Sequence, residues 1–531
     1  MSTNARVEMF ERRRAEDQAA RPGIVPRAKK HVLVLTDGFI GDRMSGTGIR
    51  YFELARHLSS QFEVSLGHPH AARELRDNMK VIEWCVDEPE QTLSLAREAD
   101  FVLVHAFVLE KLPRLRDVAK RLIVDLYCPY VFENMEIHRD RGVDLELRQT
   151  IHGNDLRVLC EQLIHGDYFL CCTERQRDWI VGMLTALGRL HPASCRQIAS
   201  PMDLVGLVPF GLPTEIPTPS GDNVMKGVWP GVERDDLVVL WGGGLWSWLD
   251  PLTIVRAMAL VSAVRSDVKL VFLSSKTAET VIDMPMAGKV LELAEALGLR
   301  GKSVIFNDRS YIEYDRRTDY FLEADIGVCA HQETMETYYA YRTRLLDYLN
   351  AATPILTSQG DYFGDYVARN GLGKALPIGN PEAWANAILE LAASPDARAE
   401  CRRRIMEKRD DFTWSRAVAP LVEFCLKPPT ANDAGECWRH LRRLSEVKRT
   451  RHNGKEEADS ETRMAFVEAL SRIKALRSQY DLLSDAHSQL LVQHAYLTDG
   501  VEHLQAKVNL VKRIPFAETL WRILGKRFRK R

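Results

Sequence analysis

Apolar residues along this chain gather into short β-branched and leucine-rich runs separated by stretches of helical period, and the alternation begins at His31. The run His31-Val-Leu-Val-Leu ends at Thr36-Asp37, glycines are frequent from Gly38 to Gly48, and Ile49-Arg-Tyr-Phe-Glu-Leu-Ala-Arg-His-Leu then carries apolar residues at helical spacing. That order predicts a strand, a loop and a helix. Further strands are predicted at Phe62–Leu66, Phe101–His105, Leu122–Leu126 and Phe169–Cys172, with helical patterns between them. Strands that alternate with helices imply a parallel sheet. The half closes near Val208-Pro-Phe-Gly-Leu-Pro, and residues 213–232, rich in Pro and Gly, read as a linker. A second alternation starts at Leu237-Val-Val-Leu-Trp-Gly-Gly-Gly and continues through Lys269–Leu273, Ser303–Phe306, Ala324–Cys329 and Pro354–Thr357. A helix around Phe412–Cys425 completes it. The expected fold class is α/β: a Rossmann-like domain at 31–212, a linker, and a second Rossmann-like domain at 233–427, after an N-terminal extension of residues 1–30.

Beyond Pro428-Pro429 the pattern changes. Residues 428–465 are polar and charged and read as a second linker. From Ile473 a heptad sets in: Ile473, Tyr480, His487, His494, Val501 and Val508 at positions a, and Leu476, Leu483, Leu490, Leu497, Leu504 and Val511 at positions d. Two apolar positions in seven make a narrow seam, so residues 466–511 are predicted to form a coiled coil and a homo-oligomer. The end of the chain, residues 512–531, places Phe516, Leu520, Ile523, Leu524 and Phe528 on one helical face among Arg and Lys. That pattern predicts a basic amphipathic helix lying on an anionic membrane surface.

Composition narrows the picture. At 531 residues, with 45% hydrophobic and 8% aromatic content, the chain is long enough for two or three packed domains and is not disordered throughout. A formal net charge of −1 argues against nucleic acid as the partner of the whole protein. The ten cysteines include no Cys-x-x-Cys spacing, which favours a reducing compartment and speaks against structural zinc. The N-terminus lacks the apolar core of a signal peptide and no stretch reaches the ~20 apolar residues that span a bilayer. The expected location is the cytoplasm, peripheral on the inner face of the cell membrane.

Candidate chemistry concentrates between Ala324 and Asp361. An apolar strand, Ala-Asp-Ile-Gly-Val-Cys-Ala-His, gives way to Tyr-Ala-Tyr-Arg-Thr-Arg-Leu-Leu-Asp-Tyr-Leu and then to a second strand ending in Gly360-Asp361. Charged groups therefore collect where an α/β sheet exposes its strand ends, the usual ligand site of such folds. Arg342 and Arg344 at a helix start suit phosphate, and Asp347 suits sugar hydroxyls. Gly242 to Gly244 would let a ligand approach the backbone closely. Trp246 suits stacking on a base or sugar, and equally core packing.

With Ser-Gly-Thr-Gly-Ile-Arg-Tyr-Phe-Glu-Leu-Ala-Arg-His-Leu, Val-Pro-Phe-Gly-Leu-Pro, Trp-Gly-Gly-Gly-Leu-Trp-Ser-Trp-Leu-Asp-Pro and the Ala324–Asp361 stretch in order, residues 31–427 resemble a glycosyltransferase of the GT-B fold. The resemblance is to family 4, and especially to bacterial enzymes that build surface polysaccharides such as O-antigen or capsule. It implies a nucleotide diphosphate sugar as donor, held by the C-terminal domain, and a glycan or lipid-linked acceptor held by the N-terminal one. It also implies transfer with retention, the leaving phosphate helping to deprotonate the acceptor, with no metal and no cofactor. On this resemblance the donor-binding residues are Gly243, Gly244, Trp246, Lys276, Arg342, Arg344 and Asp347. His105, Arg342 and Glu336 are the expected catalytic residues, and Gly46, Thr47, Gly48 and Arg50 the expected acceptor-side loop, with Asp125 and Glu133 shaping the acceptor side.

Two departures from the family pattern stand out. Aligning the family's Gly-x-Pro-Val with Ala352-Thr353-Pro354-Ile355 puts the second acid of its Glu-x7-Glu motif at Asp347 and the first at Tyr339, so a carboxylate there has to come from Glu336 or Glu333. Where the family carries an Arg and a Lys after the first strand of the donor domain, this chain has Trp246, Ser247, Trp248 and Asp250. Arg342 and Arg344 are then the expected diphosphate clamp. The function class is a glycosyltransferase; the alternative, which Tyr339 keeps open, is a non-catalytic membrane-associated scaffold with a degenerate transferase domain. In the coiled coil, charging His487 and His494 together on the seam is expected to weaken self-association below about pH 6. Sedimentation of the full chain at neutral and mildly acidic pH checks this, and an unchanged sedimentation coefficient would refute it.

Overall fold

The structure, a computed structural model, describes residues 29–41, 44–69, 75–76, 79–105, 107–192, 194, 200–221, 223–273, 285–307, 312 and 316–428. Lys276, residues 1–28 and everything beyond 428, with the expected coiled coil and basic helix, lie outside the described residues. Two sheets form the described part, as the alternation of strands and helices predicts.

The first sheet contains β1 (His31–Leu35), β2 (Glu63–His68), β3 (Leu75–Arg76), β4 (Met79–Glu83), β5 (Phe101–His105), β6 (Leu122–Asp125), β7 (Tyr168–Cys171) and β8 (Val205–Leu207). Their order across the sheet is β3-β4-β2-β1-β5-β6-β7-β8, parallel throughout except for the β3–β4 pair. The second sheet contains β9 (Leu237–Trp241), β10 (Val268–Phe272), β11 (Val304–Phe306), β12 (Ile326–Cys329), β13 (Ile355–Ser358) and β14 (Gly373–Leu376), in the order β11-β10-β9-β12-β13-β14, all parallel. Helices cover both faces, so the central strands are apolar at every position and Val32 to Leu35 or Val238 to Trp241 are buried without a gap.

Strand order reverses between β1 and β5 in the first sheet and between β9 and β12 in the second. Such switch points open crevices at the carboxyl ends of the strands, where ligands of doubly wound sheets bind. The helices that matter for those crevices are α1 (Gly46–Leu58), α2 (Tyr130–Asp140), α3 (Glu174–Ala186), α4 (Pro251–Ser262), α5 (Met335–Tyr339), α6 (Arg344–Asn350) and α7 (Tyr362–Asn370).

The chain crosses between the sheets twice, and the crossings are bonded to each other. Leu212 N–H donates to the Phe412 carbonyl at 2.7 Å, and Trp414 N–H donates to the Leu212 carbonyl at 3.0 Å. Buried Arg409 donates to the carbonyls of Pro213 (2.7 Å) and Thr214 (3.1 Å) and to Asn350 Oδ1 (3.0 Å), which ties the start of the linker to the second half. The helix Ala419–Leu426, which the sequence pattern assigns to the second domain, packs instead on the first sheet. Phe424 stacks on Tyr168 with centroids 4.0 Å apart and meets Phe101 edge-on at 6.0 Å, while Lys30 Nζ donates to the Cys425 carbonyl at 2.7 Å.

One backbone conformation records the departure at Ala352. Its φ is 54°, the only positive value at a non-glycine among the described residues, and it stands where the resembled family has glycine. Left-handed backbone costs an L-residue roughly 1–2 kcal/mol, whereas glycine pays about 0.5–1 kcal/mol in chain entropy. Ala352→Gly is therefore expected to stabilise the fold by about 0.5–1 kcal/mol, read as a higher urea midpoint for the full chain.

Candidate functional site

The glycine turn after β9 carries the first part of the site. Gly242 N–H donates to the Tyr348 hydroxyl at 2.8 Å, and that hydroxyl lies 2.7 Å from the Leu240 carbonyl, so α6 is pinned to the end of the strand. Gly243 has φ 91°, a conformation that leaves glycine without penalty, and a Cβ built there would sit 3.6 Å from the Arg344 guanidinium. Arg344 Nη2 donates to the Gly244 carbonyl at 2.8 Å, and the guanidinium lies 5.1 Å from the Trp241 ring centroid. Its Nη1 is buried and has no hydrogen-bond partner. Burial lowers the proton affinity of this guanidinium, with Cys329, Tyr348 and Asp347 opposing the shift and Arg342 adding to it. A buried cation of this kind, with no ion pair among the described residues, is a ready partner for an anion.

The other residues expected around the donor separate into distinct roles. Asp347 Oδ1 accepts from Arg317 Nη2 at 2.6 Å, not from Arg344. Burial raises its proton affinity even against the pull of Arg317. Trp246 stacks face to face on Trp248, with centroids 5.5 Å apart, so one face of its indole is already covered. Gln332 Nε2 holds that turn through the Ser247 carbonyl at 3.1 Å, and Asp250 caps α4 by accepting from Thr253 N–H at 3.0 Å.

Arg342 turns out not to be an open clamp. Glu336, 1% exposed, binds it with both oxygens, Nη1 to Oε1 and Nη2 to Oε2, each at 2.7 Å, and Thr337 Oγ1 accepts at 3.2 Å. The remaining guanidinium nitrogen, Nε, lies 3.7 Å from Asp361 Oδ2. Asp361 caps α7 by accepting from Gly364 N–H at 2.6 Å, while Oδ2 has no hydrogen-bond partner and lies 3.5 Å from His331 Nε2. Burial pushes Asp361 up to about 6, against the pull of Arg342. Burial, with Arg342 beside it, pushes His331 down to about 3, so the imidazole is neutral. His331 and Asp361 did not emerge from the sequence as site residues, although each is the first polar group of its kind beyond an apolar strand.

Tyr339, at the position of the expected first acid, fills a packing role between the two halves. Its ring stacks on Phe132 with centroids 5.4 Å apart and 10° between planes, and Trp179 lies 5.5 Å away. Gln176 Nε2 donates both to the Tyr339 carbonyl (2.8 Å) and to the Tyr127 carbonyl (2.9 Å). Beside it Arg175 donates to the Gly360 carbonyl and to Asp365 Oδ2, each at 2.8 Å, and covers the Tyr338 ring at 4.4 Å. Neither residue of α3 has a sequence signature, because both act across the gap between the sheets.

In the first sheet, His105 ends β5 at the switch point. Its Nδ1 is 2.8 Å from Asp37 Oδ1, and Lys111 Nζ donates to Asp37 Oδ2 at 3.0 Å. Burial opposes ionisation of Asp37, yet His105 and Lys111 together hold its carboxyl well below the usual range. Tyr51 and Tyr127 flank the imidazole at 5.6 and 5.9 Å. Asp37 was missed for the reason His331 was: it is a lone polar residue after a strand.

The acceptor-side loop is arranged differently from its expectation. Gly46, Thr47 and Gly48 form the first turn of α1, with Thr47 Oγ1 2.8 Å from the Tyr127 hydroxyl. Arg50, 0% exposed, points inward: Nε and Nη2 contact Asp125 at 2.6 and 2.9 Å, Nη2 donates to the Val208 carbonyl at 2.8 Å, and the ring centroids of Tyr127 and Phe210 lie 4.9 and 5.0 Å from the guanidinium. The physical reason is that an arginine on the buried face of a helix needs an anion, and Asp125 ends β6 beside it. Among the described residues, no group of three or more His, Cys, Asp or Glu side chains is placed to hold a metal ion.

Solved structures with a similar fold include sucrose-phosphate synthase from Thermosynechococcus elongatus (TM-score 0.54, 15% identity, 78% of this chain and 100% of that chain). HepE from Anabaena in complex with UDP and glucose gives a TM-score of 0.54 at 12% identity, over 74% of this chain and 98% of that one. WaaG, a glycosyltransferase involved in lipopolysaccharide biosynthesis, gives 0.51 at 13% identity, over 75% and 100%. No protein-family model and no curated protein sequence matches the chain. At these identities the likeness carries the fold, which is the two-sheet GT-B architecture of those glycosyltransferases.

The buried Arg50–Asp125 pair generates a stability prediction. Asp125→Ala leaves the guanidinium uncompensated and is expected to cost about 3–5 kcal/mol, whereas Arg50→Met with Asp125→Leu recovers most of it. Urea denaturation of the two variants checks this, and equal midpoints would refute it.

Proposed function

We propose that this chain is a glycosyltransferase that moves a sugar from a nucleotide diphosphate sugar to a glycan acceptor. In the same reading the acceptor is lipid-linked, the product is bacterial surface polysaccharide, residues 466–511 hold an oligomer together, and residues 512–531 keep the enzyme on an anionic membrane surface. No helix among the described residues is long and apolar enough to cross a membrane.

The observation that carries this reading is Arg344. Its buried, unpartnered Nη1 stands beside the glycine turn at the switch point of the second sheet. A diphosphate supplies the negative charge that the site lacks, and it gains charge as the nucleotide leaves, so the same cation favours departure. Gly243 keeps the turn open to a ligand, and Asp347 stands on the same helix three residues on, where a sugar hydroxyl can compete with Arg317 for it. His105, fixed by Asp37, is the first-sheet group offered to the transferred sugar. Arg342 and Glu336 hold the framework around them.

The scaffold alternative rests on Tyr339, which closes the two halves against each other where an acid is expected. Nucleotide binding separates the two. One of UDP, GDP, dTDP or CMP is expected to raise the melting temperature of the full chain by mass action. Arg344→Ala is expected to cost about 2–3 kcal/mol of binding, roughly 30–150-fold in Kd, with the unliganded melting temperature unchanged or raised. Binding of none of the four would support the scaffold.

A further inference from the structure

Two carboxylates contact the guanidinium of Arg342 and a third feels its charge, and the three are satisfied unequally. Glu336 has both oxygens on Arg342, and Asp361 has Oδ1 on a backbone N–H. The third, Glu133, comes from the first sheet. It sits in the first turn of α2, just beyond the carboxyl end of β6. The stacking of its neighbour Phe132 on Tyr339 lays that turn against α5, the helix that carries Glu336. Glu133 is half-buried, and its hydrogen bond is from the Cys128 thiol, Sγ to Oε2 at 2.9 Å.

A thiol is a weak donor and stabilises a carboxylate poorly. Burial and the negative charge of Glu336 push Glu133 up to about 7, while the Cys128 hydrogen bond and Arg342 pull the other way. One turn along α2, Glu136 is likewise raised, mainly by burial, with Arg139 and Arg148 opposing and Glu336 adding to it. The charged and titratable groups around Glu133 are thus Tyr127, Cys128, Glu136, Glu336 and Arg342. They leave one carboxyl group on the first half, beside the helix that carries Glu336, able to gain or lose a proton near neutrality. A general base works best when its proton affinity is near the working pH.

We propose that Glu133 accepts the proton of the acceptor hydroxyl during sugar transfer, an assignment that rests on the glycosyltransferase reading above. The acceptor oxygen bonds to the anomeric carbon as the bond from that carbon to the phosphate oxygen breaks. The bonding pair leaves on the nucleoside diphosphate beside Arg344, and the hydroxyl proton passes to the Glu133 carboxylate, from which water later removes it. The resemblance to family 4 assigns that proton to the leaving phosphate; Glu133 gives it a protein acceptor instead. His105, whose Nδ1 lies 2.8 Å from Asp37, keeps Nε2 as a second candidate proton acceptor, and the test below separates it from Glu133.

The test uses the full chain with UDP-glucose, UDP-N-acetylglucosamine, GDP-mannose and dTDP-rhamnose as donors and water as acceptor, and follows nucleoside diphosphate release. Wild-type kcat/KM is expected to rise about tenfold per pH unit to a break near pH 7 and then level off, the direction required of a base. Glu133→Gln is expected to lower kcat by about 10²–10⁴-fold and to abolish the break, with Kd for the nucleoside diphosphate within about threefold of wild type. Glu133→Asp keeps the break with a reduced kcat, and formate partly restores Glu133→Ala. A Gln variant that keeps its kcat or its break while binding nucleotide normally overturns the proposal alone, as does a break that vanishes in His105→Asn but survives in Glu133→Gln. Failure of the wild type to bind any nucleoside diphosphate overturns the glycosyltransferase reading with it.

Discussion

The two-bond fork between Arg342 and Glu336 is the interaction on which this region depends. A guanidinium removed from water needs an anion with matching geometry, and Glu336 meets that need with both oxygens at 2.7 Å. Meeting it fixes the short helix α5, which has few other means of holding its place: a Thr334 cap and five residues. With α5 fixed, Tyr339 is delivered to Phe132 and Trp179, and its carbonyl to Gln176. The contact between the halves on this side of the molecule therefore follows from a charge pair inside one of them.

Two residues further along, the same demand is left open. Arg344 has a carbonyl and an indole face but no ion pair among the described residues, and one of its nitrogens has no partner. The contrast explains how one short segment does both structural and ligand-directed work. The paired charge builds the wall, and in the proposed function the unpaired one takes the ligand. On the opposing half the imbalance has the other sign, since Glu133 has a thiol as its hydrogen-bond donor and Arg342 as the cation whose charge it feels. In the proposed function, a donor that brings negative charge and an acceptor that brings a proton match these two deficits.

Much of this was legible in the sequence and some was not. The strands were readable because buried parallel strands are apolar at every position, and the glycine turn after β9 because three consecutive glycines have few other uses. The crowding of charge between Ala324 and Asp361 was readable for the same reason: it interrupts apolar runs. The division of labour between Arg342 and Arg344 was not readable, since it depends on Glu336 folding back over six residues rather than on spacing along a helix. Arg50 illustrates the same limit. Its place in a glycine-rich segment suggested an open loop, but the helix begins at Gly46 and turns that side chain toward Asp125, 75 residues away. The return of Ala419–Leu426 to the first sheet was equally invisible, because its apolar period says that a helix packs and not against what.

The paired crossings at Leu212 and Thr413 have a mechanical consequence. Two chain segments bonded side by side behave as a strap with width: they bend readily about the line they share but resist torsion. Gly211 brings them so close that a Cβ there would lie 2.5 Å from the Trp414 backbone. Rotation of one sheet against the other therefore has to bend or break both segments together.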